Sequence, residues 1–350
     1  SHGLFHLSLK PMKKHIFFLL CLAAIVVGCE QNTTPKLDSS TETAAEQTPI
    51  DSINSIIKKQ PNNALLYFDR AKLHYSVKDV PSSLSDVGRA LSLDSSNAYF
   101  YLLLADLKLI SKQSRESKDA LLKANRLAPN NIDVLLKLGE LYMVVQDADA
   151  SFQYLNQALK LDIHSARAYQ LKGFNYKFLG DTLNALSSFQ TAIEQDPNDY
   201  DSYLQIGLFY ANINDPLAED YFNNAIKVRP QSLEARYARG LHFQEIGETR
   251  KALDAYNEII ELNPKYFNAY YNRGFVYLMQ LEKFDSAAFE FQRAVDFGPQ
   301  DYFEAHYNLG IAYELNKENE KAITAFKSSL RINPQYDLAA KGLERLVDQK

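Results

Sequence analysis

Tryptophan is missing from the 350 residues, cysteine occurs twice, methionine three times and glycine only 13 times. So little glycine excludes an architecture built on phosphate-cradling loops or tight hairpins. Two cysteines exclude a disulfide framework and a paired-cysteine metal site. A net charge of −5 leaves no nucleic-acid footprint. Apolar runs are short: the stretch from Ile16 to Val27 has 12 residues, where a membrane-spanning helix needs about 20. What is plentiful is core-forming material, with 46% hydrophobic residues, 22 Tyr and 20 Phe. That composition supports a packed core and excludes wholesale disorder.

The amino end reads as an address. Residues 1–11 precede the first Met and are expected to be a cloning or gene-calling remnant. Residues 12–28 have the pattern of a secretory signal: Met12, then Lys13 and Lys14, then the short apolar run. The run ends in Val26-Val27-Gly28-Cys29, which resembles the lipobox of bacterial lipoproteins. The resemblance implies a lipid on Cys29 and cleavage after Gly28. Several acyl chains anchor stably where one binds only marginally. Glu30, rather than Asp, follows the acylated residue, and the resemblance then implies the outer membrane of a bacterial envelope. Residues 29–49 are rich in Ser, Thr, Glu, Gln and Pro, with Leu37 the one large aliphatic residue after Cys29. They are expected to be a disordered tether spanning roughly 25 Å.

The prolines disclose the organisation of the rest. Pro61, Pro129 and Pro197 are 68 residues apart, twice 34, and Pro230, Pro264, Pro299 and Pro334 follow at steps of 33 to 35. With each unit numbered from the third residue after such a proline, the eighth positions are Ala71, Ala105, Gly139, Gly173, Gly207, Gly240, Gly274 and Gly310. The twentieth positions are Ser83, Ser117, Ser151, Ala185, Ala218, Ala252, Ala287 and Ala322. All are small. The twenty-fourth positions are large: Leu121, Leu155, Phe189, Phe222, Tyr256, Phe291 and Phe326. Small residues let two antiparallel helices approach, and the large one fills the space beside them. Proline ends the second helix of each unit by removing an amide donor. Apolar residues recur at helical spacing, as in Tyr203, Ile206, Gly207 and Tyr210.

Period and positions together resemble the tetratricopeptide repeat family over residues 64–336. The resemblance implies an all-α fold, a right-handed superhelical solenoid of about eight helix-turn-helix repeats. One departure is systematic: the family's Trp at position 4 is replaced by Tyr67, Tyr101, Leu135, Tyr169, Tyr203 and Tyr270, with Arg236 and His306 as polar exceptions. Residues 50–63, with Ile53, Ile56 and Ile57, form an expected N-terminal helix. Residues 337–350 form an expected C-terminal capping helix, apolar on one face through Leu338, Leu343, Leu346 and Val347.

No catalytic motif is present: no Gly-rich phosphate loop, no G-x-S-x-G, no H-E-x-x-H. His74, His164, His242 and His306 fall in different repeats without ligand spacing. Neither an enzyme nor a metal or cofactor site is expected, beyond the lipid on Cys29. The family resemblance implies that the first helix of each repeat lines a concave groove, mainly through positions 2, 5, 9 and 12. In repeats 5–8 this makes Leu204, Leu208, Tyr237, Leu241, Tyr271, Phe275, Leu278, Tyr307 and Ile311 the candidate partner-binding residues. The expected function is a membrane-anchored scaffold or adaptor of the bacterial cell envelope, holding a partner protein or peptide in the groove. The alternative is a glycan- or peptidoglycan-binding envelope lipoprotein whose tyrosines stack on sugars. The same apolar stripe can equally be helix packing.

Overall fold

A computed structural model describes residues 48–347; the expected signal, Cys29, nearly all of the expected tether and the last three residues lie outside the described residues. Among the described residues the chain is entirely helical, with eighteen helices and no strand. After α1 (Pro49–Lys59) come eight helix pairs. Repeats 1–4 are α2 (Ala64–Ser76) with α3 (Val80–Leu93), α4 (Ala98–Ile110) with α5 (Ser114–Leu127), α6 (Ile132–Val144) with α7 (Ala148–Leu161), and α8 (Ala166–Phe178) with α9 (Thr182–Gln195). Repeats 5–8 are α10 (Tyr200–Asn212) with α11 (Leu217–Val228), α12 (Leu233–Glu245) with α13 (Thr249–Leu262), α14 (Phe267–Met279) with α15 (Phe284–Phe297), and α16 (Phe303–Leu315) with α17 (Asn319–Ile332). The final helix is α18 (Asp337–Val347). Below, the first helix of a repeat is its A helix and the second its B helix.

The helix ends follow from the residues placed there. Each of the seven periodic prolines sits two residues beyond the last residue of the preceding helix. The residue before it is extended, as at Asp196 (φ −132°, ψ 99°) and Asn333 (φ −126°, ψ 93°), because the pyrrolidine ring disfavours helical backbone there. The A helices of repeats 1–6 begin at Asn63, Asn97, Asn131, Ser165, Asp199 and Ser232, whose side chains accept from helix amides. The turn from A to B passes each time through one left-handed residue: Lys78, Lys112, Gln146, Gly180, Asn214, Gly247, Glu282 and Lys317. Only two of the eight are glycine, so six turns hold a side chain in a costly conformation.

Within each repeat the two helices close on one contact. A methyl group built on Gly139, Gly173, Gly207, Gly240, Gly274 or Gly310 would stand 2.5 to 2.9 Å from the side chain at position 24 of the same repeat. No side chain larger than hydrogen fits without displacement. In repeats 1 and 2, position 8 is Ala71 or Ala105, and the residue at position 24 is aliphatic, Val87 or Leu121. Ser83 and Ser151 at position 20 donate to the carbonyls of Ala71 and Gly139, at 2.8 and 2.6 Å. The last ring of the series, Phe326, is covered on its far side by α18, where a methyl on Gly342 would lie 2.7 Å away.

Tyrosine in place of tryptophan at position 4 acquires a hydrogen bond the indole could not make in the same way. The hydroxyls of Tyr67, Tyr101 and Tyr270 donate to the carbonyls of Pro61, Ser95 and Pro264, six residues earlier, at 3.0, 3.3 and 3.0 Å. Arg236, a polar exception, reaches the Ser232 carbonyl at 3.0 Å and Glu258 at 3.0 Å.

Two glycines separate the effects of overlap and backbone. Gly207→Ala should destabilise by about 1–3 kcal/mol through overlap with Phe222, and Phe222→Leu in the same chain should recover part of the loss. Gly247→Ala, where nothing lies within 4 Å of the new methyl but φ is +80°, should cost about 1–2 kcal/mol through backbone strain alone and gain nothing from Phe222→Leu. Thermal melts of the four variants check both.

Candidate functional site

The A helices of consecutive repeats touch, α2 with α4, α6 with α8 and α10 with α12. The A-helix side of the stack, called the inner wall below, carries the candidate residues. The structure divides those nine residues. Leu204, Leu278, Tyr307 and Ile311 are buried between helices. Leu208, Tyr237, Leu241, Tyr271 and Phe275 are half-buried.

The tyrosines at position 5 carry inter-repeat packing. Tyr237 packs on Tyr266, Tyr271 on Tyr302 and Tyr307 on Tyr336, with ring centroids 5.9, 5.2 and 5.3 Å apart. Each partner stands just before the next A helix or α18, where repeats 1–6 place a polar cap; Tyr266 and Tyr302 give their helices no side-chain cap. The hydroxyls are engaged as well. Asn272 donates to Tyr237 at 2.9 Å, and Asn308 to Tyr271 at 2.6 Å. Burial pushes both phenols well above their ordinary pKa. A sugar stacking on these rings would compete with Tyr266 and Tyr302 for their faces.

Toward the amino end the rungs between A helices are polar. Lys137 donates to Asp106 at 2.6 Å and Arg167 to Glu140 at 2.8 Å. Gln170 donates to Asp199 at 2.5 Å, and Lys177 reaches Gln205. At repeats 5 and 6 a polar cluster forms around position 2. The Tyr200 hydroxyl is 2.7 Å from Ser232 Oγ and 3.3 Å from Glu234, and the Arg229 guanidinium lies 4.0 Å from the Tyr200 ring centroid. Asp201 is 3.8 Å from Arg229. Desolvation raises the carboxyl pKa of both Asp201 and Glu234, partly opposed by Arg229 at Asp201 and by the Tyr200 hydrogen bond at Glu234. Glu234 nonetheless remains exposed to solvent. Neighbouring side chains replace part of its hydration shell while the rest stays in water.

What remains open along the inner wall is position 9, Leu208, Leu241 and Phe275, bordered by these carboxylates. The acids at position 2, Asp201, Glu234 and Glu304, stand in the sequence at repeat spacing. The polar rungs are not visible there, because each joins residues about 30 apart whose meeting depends on how one repeat rotates on the next. The histidines stay separate: His242 is buried against Phe222 and Phe243, with its pKa lowered by desolvation, and His164 pairs with Gln195. Among the described residues no group of three His, Cys, Asp or Glu is arranged to hold a metal ion, and no helix is long and apolar enough to cross a membrane.

Models described as Tetratricopeptide repeat match residues 166–199, 188–219 and 303–336, and one described as TPR repeat matches 243–281. Among curated proteins, Tetratricopeptide repeat protein 6 of Homo sapiens is 30% identical over 190 residues, 51% of this chain and 35% of that protein. A TPR repeat-containing protein of Methanocaldococcus jannaschii is 22% identical over 261 residues, 67% of this chain and 45% of that protein. The chain therefore spans less than half the length of these two relatives. Among solved structures, the C-terminal part of a TPR repeat-containing protein from Cytophaga hutchinsonii superposes with a TM-score of 0.60 at 20% identity, covering 69% of this chain and 98% of that one. That likeness is one of fold.

The tyrosine rungs are testable as structure. Tyr271→Phe leaves the Asn308 amide buried without its acceptor and should cost about 1–3 kcal/mol. Adding Asn308→Leu removes the orphan and should return most of that stability in a urea titration.

Proposed function

The chain carries tetratricopeptide repeats, and on that footing we propose that it is a non-enzymatic scaffold of the bacterial cell envelope, anchored by acylation of Cys29, that holds a segment of a partner protein along its A-helix wall. The observation that carries this reading is the division of the apolar stripe. Position 5 is committed to packing between repeats, while Leu208, Leu241 and Phe275 at position 9 keep apolar surface open on the same wall. An apolar strip bordered by the Asp201 and Glu234 carboxylates suits a peptide or helix that offers apolar anchors and complementary charge. Helix-lined grooves bind such segments through a few anchors spaced along one face. The tether read in residues 29–49 would let the repeats reach a client away from the membrane surface.

Two experiments test the two halves of the reading. A photo-crosslinking side chain placed at Leu241 or Phe275 should capture partner protein in the native envelope, whereas the same group at exposed Gln153, on a B helix, should not. Equal capture from all three sites would overturn the groove assignment. Cys29→Ser should abolish incorporation of labelled fatty acid and move the protein from the membrane to the soluble fraction; an unchanged membrane fraction would refute the anchor.

A further inference from the structure

A second surface lies away from the A-helix wall, on the edge formed by the turns from A to B helices. In repeats 3–5 these turns expose Val145, Phe178, Leu179, Leu183, Ile213 and Leu217. Leu183 is 80% exposed, and the other five lie between 45% and 59%. Single exposed apolar residues are ordinary on protein surfaces, but six on one edge of three consecutive units form a patch. The three turns are neighbours. Phe152 at the start of α7 packs on Tyr176 near the end of α8, with ring centroids 4.7 Å apart, and Asn175 donates to Ser151 at 2.8 Å. Leu186 near the start of α9 shares a core cluster with Tyr210 near the end of α10.

These side chains are presented by the turn, not left over from the core. Val145, Leu179 and Ile213 each directly precede the left-handed residue, Gln146, Gly180 or Asn214. The reversal there turns the chain into the next helix and leaves the preceding side chain on the rim.

The charge around the patch selects its occupant. Residues 144–149, 178–184 and 212–220 contain six carboxylates and neither Lys nor Arg. Asp147, Asp181 and Asp215 are held in place by accepting from the amides of Ala150, Asn184 and Leu217. Lys177, the cation nearest in sequence, turns to Gln205 on the inner wall, and Glu219 is paired with Lys251 of the next repeat at 2.9 Å. In repeats 1 and 2 the same turns contain Lys78, Lys112 and Arg115, so among repeats 1–5 a border with carboxylates and neither Lys nor Arg belongs to repeats 3–5. An anionic bilayer would be repelled by this border, and a second copy would bring carboxylates against carboxylates. A cationic partner satisfies both features.

We propose that the turn edge of repeats 3–5 is a docking surface for a basic amphipathic helix of a partner protein, its apolar face on the Phe178–Leu183 rim and its Lys or Arg residues on the flanking aspartates. The surface is separate from the A-helix wall, and the proposal stands whether or not that wall binds a partner.

The probe is a fluorescent Leu/Lys amphipathic helical peptide, titrated against the full chain by anisotropy. Binding is expected to weaken as salt rises, and to be lost when Glu replaces Lys in the peptide or when its residues are shuffled out of helical register. Leu183→Lys with Ile213→Lys should weaken binding by about ten-fold or more, while Leu161→Lys, exposed at the far end of α7 from this edge, should leave it unchanged. Both edge positions are exposed, so their variants should melt as the parent does. Unchanged affinity of the edge double variant, or equal binding of the Glu peptide, would overturn the proposal. So would edge-dependent binding to anionic lipid vesicles in place of the peptide, or an edge-dependent dimer in sedimentation.

Discussion

Everything in this fold depends on how closely two helices approach at one point per repeat. The side chain at position 24 lies against a glycine or alanine at position 8, near enough that the absent methyl groups define the spacing. The pairings run Ala71 with Val87, Ala105 with Leu121, Gly139 with Leu155, and then glycine with Phe or Tyr to the end. An aromatic ring stands at position 24 only where position 8 is glycine. A core built this way tolerates change only in pairs. The same rings serve the next unit: Phe222 shares a cluster with Ala235, Tyr256 with Ala269, and Phe326 with Ala339. Stability is therefore local and additive along the stack, as expected of a chain whose units touch only their neighbours.

The stack is joined differently along its length, and that difference shapes the inner wall. From repeat 2 to repeat 5 the A helices are joined by ion pairs and hydrogen bonds of side-chain amides; from repeat 6 onward, by tyrosine pairs, two of them with an asparagine donor. At the carboxyl end, Arg345 of α18 returns to a polar rung by gripping Glu314 with two nitrogens at 2.9 and 2.7 Å. Exposed ion pairs contribute little net stability, so the amino-terminal rungs act mainly on register. The tyrosine rungs bury large rings and fix register together. In exchange, the position 5 tyrosines of repeats 6–8 are engaged in structure, and the open apolar surface of the wall is reduced to Leu208, Leu241 and Phe275 at position 9.

The repeat architecture was legible because each of its causes is local. Gly207, Ala218 and Phe222 fall at their intervals within one unit, and Pro197 and Pro230 bracket it. The candidate site was legible only as a stripe. Leu204 and Leu208 are one helical turn apart and equally apolar, yet the first is buried and the second half-open. The separation of Tyr271 from Phe275 into a packing ring and a wall residue follows from Tyr302 and Asn308, more than thirty residues away. The apolar turn edge is not legible for a related reason: Val145, Leu179 and Ile213 continue apolar helices, and a linear pattern does not reveal that the chain turns away from the core just there.

By itself, then, the sequence determined the unit, its eightfold recurrence, the helix ends and the close contact inside each pair, since all of these depend on residues within about 34 positions of one another. Tertiary structure alone decided which apolar and aromatic side chains face a neighbour, which face the inner wall and which stand on the rim. Those choices are set by the rotation of one repeat on the next, a quantity to which every interface contributes and which no single unit encodes.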